Sequence, residues 1–108
     1  MGRPYLGEFE ELVLLTVAVL EGQAYGVTIA GELRQRTTRS ISLSSVHIAL
    51  YRLEEKGFVQ SHLAGATQTR GGRRKRLFDI TTAGRSTLIE IRQVRDELWN
   101  AMPKPSLS

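Results

Sequence analysis

The sequence predicts an α+β fold, mainly α, and three observations carry that expectation. Apolar residues recur at helical spacing in four separate stretches of the 108-residue chain. Between the third and fourth stretches lie two short runs rich in strand-forming residues. They are joined by a segment holding Gly71-Gly72, a pair that permits the positive φ values of a hairpin tip. The order is helix, helix, helix, strand, turn, strand, long helix. That is the winged helix-turn-helix plan with a long C-terminal dimerisation helix appended. Residues 1–81 would form the winged-helix domain, 82–103 the dimerisation helix and 104–108 a frayed tail.

Each element has its own justification. Gly7 to Glu21 reads as the first helix, because Glu8, Glu10 and Glu11 suit the positive end of a helix dipole and Gly22 ends the run. Between Leu12 and Leu20 only Thr16 is polar. A helix apolar nearly all round asks for burial on two sides, which a second subunit would supply. Tyr25 to Arg36 reads as the second helix, with Val27, Ile29, Ala30 and Leu33 inward. Ile41-Ser42-Leu43 is expected as a very short strand, with Ser42 also capping the third helix and Gly57 closing it in the left-handed region. Phe58–Leu63 and Arg76–Ile80 are the strands flanking the turn. Thr81 or Thr82 caps the last helix, which runs to about Met102 before Pro103 and Pro105 stop it.

Charge is sharply segregated along the chain. The net +4 combines −4 over residues 1–33, +8 over residues 34–85 and zero over residues 86–108. Five cations, Arg70, Arg73, Arg74, Lys75 and Arg76, crowd the glycine turn. Like charges on a small tip repel one another and ask for an anionic partner, of which a nucleic-acid backbone is the simplest. No aromatic residue sits at the tip, so stacking on single strands is weakly supported and double-stranded DNA is the expected partner. Gly71-Gly72 lacks the spacing of a nucleotide-binding loop.

Other classes are disfavoured. The chain has no cysteine, which removes disulfides and thiolate metal sites and fits a cytoplasmic location. With two histidines, His47 and His62, far apart in sequence, neither a metal, a cofactor nor a catalytic constellation is expected. The apolar run Leu12–Leu20 is shorter than the roughly 20 residues a bilayer requires, and no signal peptide is visible, so no membrane partner is expected.

At about 100° per residue, Val46, Ala49, Leu50 and Leu53 share one face of the third helix and would pack inward. The opposite face presents Ser44, His47, Ile48 and Tyr51, flanked by Ser45 and Arg52, groups suited to phosphates and base edges. Together with Arg70, Arg73, Arg74 and Lys75 these are the candidate DNA contacts. Ile48 is apolar yet faces outward. A thymine-methyl contact and packing against another element both remain open for it. Glu54 and Glu55 would repel DNA, which keeps the C-terminal half of this helix out of the groove.

The last helix carries a second apolar stripe. Leu88, Ile91, Leu98 and Met102 follow a heptad seam interrupted by Arg95, and Val94 widens it. With Leu12 and Leu15 of the first helix, these residues are the expected homodimer interface. A two-fold dimer would present two recognition helices to a palindromic site about one helical turn apart. Trp99, the single tryptophan, is either an interface anchor or a wall of a ligand pocket.

The chain resembles the PadR family of bacterial winged-helix transcriptional repressors over about residues 6–102. The resemblance rests on Tyr25-Gly26, on Ala49-Leu50-Tyr51-Arg52-Leu53-Glu54-Glu55-Lys56-Gly57-Phe58-Val59, on Gly71-Gly72-Arg73-Arg74 and on Phe78-Asp79-Ile80-Thr81-Thr82-Ala83-Gly84-Arg85. It implies a DNA-binding dimer built around the C-terminal helix. A single helix after the wing looks like the small branch, which includes multidrug-responsive regulators. There a tryptophan of the last helix lines an interfacial drug pocket, which would make Trp99 a contact for a small aromatic or cationic effector. The chain departs from the family's usual pattern at Val27, His47 and Ile48. The competing reading is a winged-helix protein-interaction module that has lost DNA binding; salt-dependent binding of duplex DNA separates the two.

Overall fold

The computed structural model describes residues 6–64 and 75–105. Three helices, α1 (Glu8–Val19), α2 (Gly26–Arg36) and α3 (Leu43–Glu55), precede strands β1 (Val59–Ala64) and β2 (Lys75–Ile80) and a long helix, α4 (Thr82–Ala101). The strands pair antiparallel in one register from Val59↔Ile80 to Ala64↔Lys75. This is the winged helix-turn-helix arrangement expected above.

The helix ends follow from local chemistry. Gly7 precedes α1 in extended backbone, and Glu10 Oε1 reaches back to accept the Gly7 N–H at 3.2 Å. In α2, Tyr25 is the capping residue, and its N–H donates to Thr28 Oγ1 at 3.0 Å. Ser42 caps α3, its Oγ accepting from Ser45 N–H at 3.1 Å. At the other end of α3, Gly57 adopts φ 81°, Phe58 N–H donates to Leu53 O and Gly57 N–H to Glu54 O. That pair of bonds is a Schellman ending, with Phe58 and Leu53 both buried as its hydrophobic clasp. Thr81, not Thr82, caps α4: its Oγ1 accepts from Gly84 N–H and donates to Gly57 O.

The core lies where α1, α2 and α3 meet the base of the hairpin. Val13, Leu14 and Val17 of α1, Ile29, Ala30 and Leu33 of α2, and Val46, Ala49, Leu50 and Leu53 of α3 are buried there, closed below by Phe58, Val59 and Phe78. Each of the larger side chains contributes roughly 1.5–3 kcal/mol by leaving water. The inward face expected for α3 is thus the observed one. A backbone bond from Phe78 N–H to Ala24 O, 2.8 Å, fastens β2 to the α1–α2 turn, so the wing is tied to the helical core at its root.

Two expectations are corrected, at Val27 and at Ile41-Ser42-Leu43. Val27 is 58% exposed, because Gly26, Ile29, Ala30 and Leu33 form the inward face of α2 and turn Val27 toward the wing. Ile41-Ser42-Leu43 is not a strand: β1 and β2 pair with each other, and the Ile41 carbonyl accepts Arg34 Nε and Nη2 at 3.0 and 2.9 Å. Leu12, Leu88 and Ile91 are half-buried against their own chain's core, so the start of α4 already has an intramolecular partner in α1. Arg95, the interruption in the heptad seam, donates from Nη2 to Glu11 Oε1 at 2.7 Å. Val94 beside it and Leu98, Trp99 and Met102 beyond it are exposed.

Candidate nucleic-acid interface

The capped start of α3 sets the direction of the helix, and its buried stripe sets its rotation. Together they leave Ser44, His47, Ile48, Tyr51 and Arg52 exposed, while Ser45 is half-buried. Tyr51 is 73% exposed, so its phenol stands clear of the core. Ser45 Oγ donates to Ser42 O at 2.8 Å, which commits its proton to the helix start. Ser44 Oγ makes a longer contact of 3.5 Å with Ser42 Oγ.

His47 stands at the junction of two grooves. One, about 470 Å³, runs between α3 and β2 and is lined by His47, Leu50, Tyr51, Glu54, Arg76 and Phe78. The other, about 430 Å³, opens between the start of α2 and β2 and shares His47, Arg76 and Phe78 with the first. It adds Tyr25, Gly26, Val27 and Lys75. The two grooves adjoin at these residues, and together they form a channel bordered by the α2 start, the recognition helix and β2. Gly26 makes room for the imidazole: a Cβ there would lie 2.7 Å from His47 Cε1 and 2.9 Å from Nε2.

Lys75 Nζ sits 4.8 Å from the centre of the Tyr25 ring, a cation–π contact that steadies the root of the wing against α2. Arg76 Nη1 donates to Ser61 Oγ at 3.0 Å, and Ser61 Oγ donates to Glu54 Oε2 at 2.8 Å. This relay links β2, β1 and α3. Tyr25, Val27 and Arg76 were not among the expected contacts, although the exposed Lys75-Arg76 pair continues the cationic run of the sequence. Arg70, Arg73 and Arg74 lie outside the described residues.

The basic middle segment is less free than its charge suggests. Arg39 Nη1 donates to both carboxylate oxygens of Glu8 and its guanidinium lies 5.7 Å from the Phe9 ring centre. Lys56 Nζ donates to Glu10 Oε1 at 2.6 Å, and Arg52 Nη1 lies 3.9 Å from Glu10 Oε2. Burial alone pushes the Glu10 carboxyl pKa up. The hydrogen bonds from Lys56 and the Gly7 N–H, with the charges of Lys56 and Arg52, outweigh that and hold it below the usual glutamate range.

Among the described residues, no group of three His, Asp or Glu side chains is placed to hold a metal ion. No helix among them is long and apolar enough to cross a membrane.

The fold and the channel define a winged helix-turn-helix regulator. The chain matches the PadR-like family of transcriptional regulators over residues 14–90 and belongs to that family, which makes it a DNA-binding transcriptional regulator and not an enzyme. A PadR family transcription regulator from hypervirulent Clostridium difficile is similar at TM-score 0.71 and 28% identity, over 89% of this chain and 95% of that one. A PadR-like transcriptional regulator from Bacillus cereus is similar at TM-score 0.68 and 20% identity, over 85% of this chain and 84% of that one. Bacillus subtilis PadR, solved in complex with operator DNA, shares the fold at TM-score 0.60 and 16% identity, over 94% of this chain but 51% of its own length. No curated protein matches the sequence.

Proposed function

We propose that the chain acts as a cytoplasmic homodimer that binds a palindromic duplex operator and represses transcription, with release by a small planar aromatic or cationic effector. The observation that carries the reading is the channel shared by α3, the α2 start and β2. It sets His47 and Tyr51 beside Lys75 and Arg76, on the strand that continues the cationic run of Arg70, Arg73 and Arg74, while Ser44, Ile48 and Arg52 are exposed on the same helix. Hydroxyls and an imidazole near a helix start suit base edges and phosphates, while the guanidiniums suit the backbone. The Bacillus subtilis protein of the same fold binds operator DNA, which supports the same partner here.

Dimerisation is supported by the outer half of α4. Val94, Leu98 and Met102 repeat at four-residue spacing, all more than half exposed, and Trp99 beside them is 71% exposed. A helix face of this kind is stable in water when a second copy covers it. Leu15 is exposed on α1 and Leu12, Leu88 and Ile91 lie half-buried at the α1–α4 edge, so the same interface would extend onto the first helix. Two Trp99 rings brought together across it would form the walls for a flat effector.

The test is selection of bound duplexes from a random library, repeated with Arg73→Ala/Arg74→Ala and with His47→Ala. The wing variant is expected to lose affinity for all sequences, with the log–log salt slope falling by roughly 0.9 for each phosphate that is no longer neutralised. His47→Ala is expected to change sequence preference. Wild-type behaviour of both variants would overturn the groove assignment. For the effector, quenching of Trp99 fluorescence by planar cations is expected; an unresponsive Trp99 would leave it a packing residue.

A further inference from the structure

Among the described residues, the core does not account for an isoleucine at position 48. The core face of α3 is closed by Val46, Ala49, Leu50 and Leu53, and Ile48 lies outside it, 53% exposed. At about 100° per residue it falls nearer the centre of the outward face than His47 does, between Ser44 one turn before and Arg52 one turn after. It borders an open groove of about 370 Å³ beside Gly7, Phe9, Ser45 and Arg52, and more than half of its surface is exposed.

The same helix is short of purine readers. From Leu43 to Tyr51 it has no Arg, Lys, Asn or Gln, the side chains that pair bidentately with guanine or adenine in the major groove. The single one it carries, Arg52, comes a turn after Ile48, with Nη1 3.9 Å from Glu10 Oε2. Ser44, His47 and Tyr51 offer single hydrogen bonds, and Ser45 has already spent its proton on Ser42. What remains for strong base discrimination is the apolar feature that distinguishes thymine from every other base, its 5-methyl group.

Resting on the reading of this face as the DNA-contacting one, we infer that Ile48 is a specificity-determining residue that packs on a thymine 5-methyl group in each operator half-site. Removal of that methyl group, with every hydrogen-bonding group of the base retained, isolates the contact.

The experiment takes the duplex chosen by library selection and replaces each thymine in turn by deoxyuridine. One position per half-site is expected to weaken wild-type binding about fourfold, near the contribution of one buried methylene-sized group, and about fifteenfold when both half-sites are changed. Ile48→Ala is expected to bind the thymine and deoxyuridine duplexes equally while keeping the wild-type melting temperature. Binding is measured at low salt, where phosphate contacts keep a weakened variant within range. No uracil-sensitive position, or undiminished sensitivity in Ile48→Ala, would overturn the inference while leaving DNA binding intact. Failure of selection to yield any duplex would instead remove the DNA-binding reading on which it rests.

Discussion

Glu10→Gln tests whether the recognition helix is held in place by a buried charge on α1. The carboxylate is 11% exposed, and it meets Lys56 Nζ, 25% exposed, at 2.6 Å. A hydrogen bond between charged groups contributes roughly 1.5–3 kcal/mol. The partial exposure of Lys56 trims that figure, and Arg52, more distant and well exposed, adds little. Glutamine still has an oxygen for the Gly7 N–H, so the helix start is preserved. The expected loss is about 2 kcal/mol, equivalent to about 9 °C of melting temperature for a chain of this size.

The pH dependence gives the test its sign. Glu10 has a folded-state pKa below its unfolded one, so its stabilisation is fully present above the unfolded value and disappears as pH falls through the folded value. Glutamine does not titrate. In urea unfolding at fixed protein concentration, the gap between wild type and variant should be full near neutrality. It should close as the pH drops below the ordinary glutamate range. Equal stabilities at neutral pH, or a gap that persists unchanged into strong acid, would refute the electrostatic account.

Gly84→Ala should cost about 3 kcal/mol in urea unfolding, because the new Cβ would lie 3.1 Å from Phe58 C and press still harder on the Phe58 carbonyl oxygen, which also accepts the Thr81 N–H; a change within about 0.5 kcal/mol would mean that the close approach relaxes freely. Thr81→Ala should lose about 1–2 kcal/mol by the same measurement, since one hydroxyl caps α4 and ties it to Gly57, and Thr81→Ser should recover most of it. Gly26→Ala meets only the movable end of His47 and of Leu43, so stability should stay within about 1 kcal/mol while operator preference shifts; collapse of the fold would refute this. Leu98→Glu should convert a dimer into a monomer in sedimentation with the winged-helix domain still folded, and an unaltered dimer would place the interface elsewhere.

Much of this architecture was legible in the sequence because local and tertiary demands agree. The inward stripe of α3, its Ser42 cap and its Gly57 ending each follow from residue type at a fixed spacing. The errors arise where two readings shared one pattern. Val27 belongs by hydrophobicity to the inward face, but Gly26 occupies that side so that the His47 ring can approach, and the sequence alone does not show a ring filling a glycine's space. The β-branched Ile41 suggested a strand, yet a strand requires a partner, and its carbonyl is instead taken by Arg34 from the preceding helix. Arg95 looked like a flaw in a dimer seam; its partner Glu11 stands 84 residues earlier, beyond the reach of any local rule.

That long-range pairing also alters what the charge segregation means. The acids of the first helix turn do not simply balance the chain. Glu8 holds Arg39 after α2, Glu10 holds Lys56 at the end of α3, and Glu11 holds Arg95 on α4. Three cations are thus engaged within the fold, each fixing a different element to α1. Arg36 is likewise paired, with Glu32, while Arg34 donates to the neutral Ile41 carbonyl. Lys75 lies against a tyrosine ring, and Arg76 reaches the Glu54 carboxylate only through the Ser61 hydroxyl. Among the described residues, a phosphate approaching the channel would therefore meet Lys75, whose contact is with a neutral ring, at the root of the wing. The positive charge that the described residues leave for an anionic partner is smaller than the +8 of residues 34–85 implies.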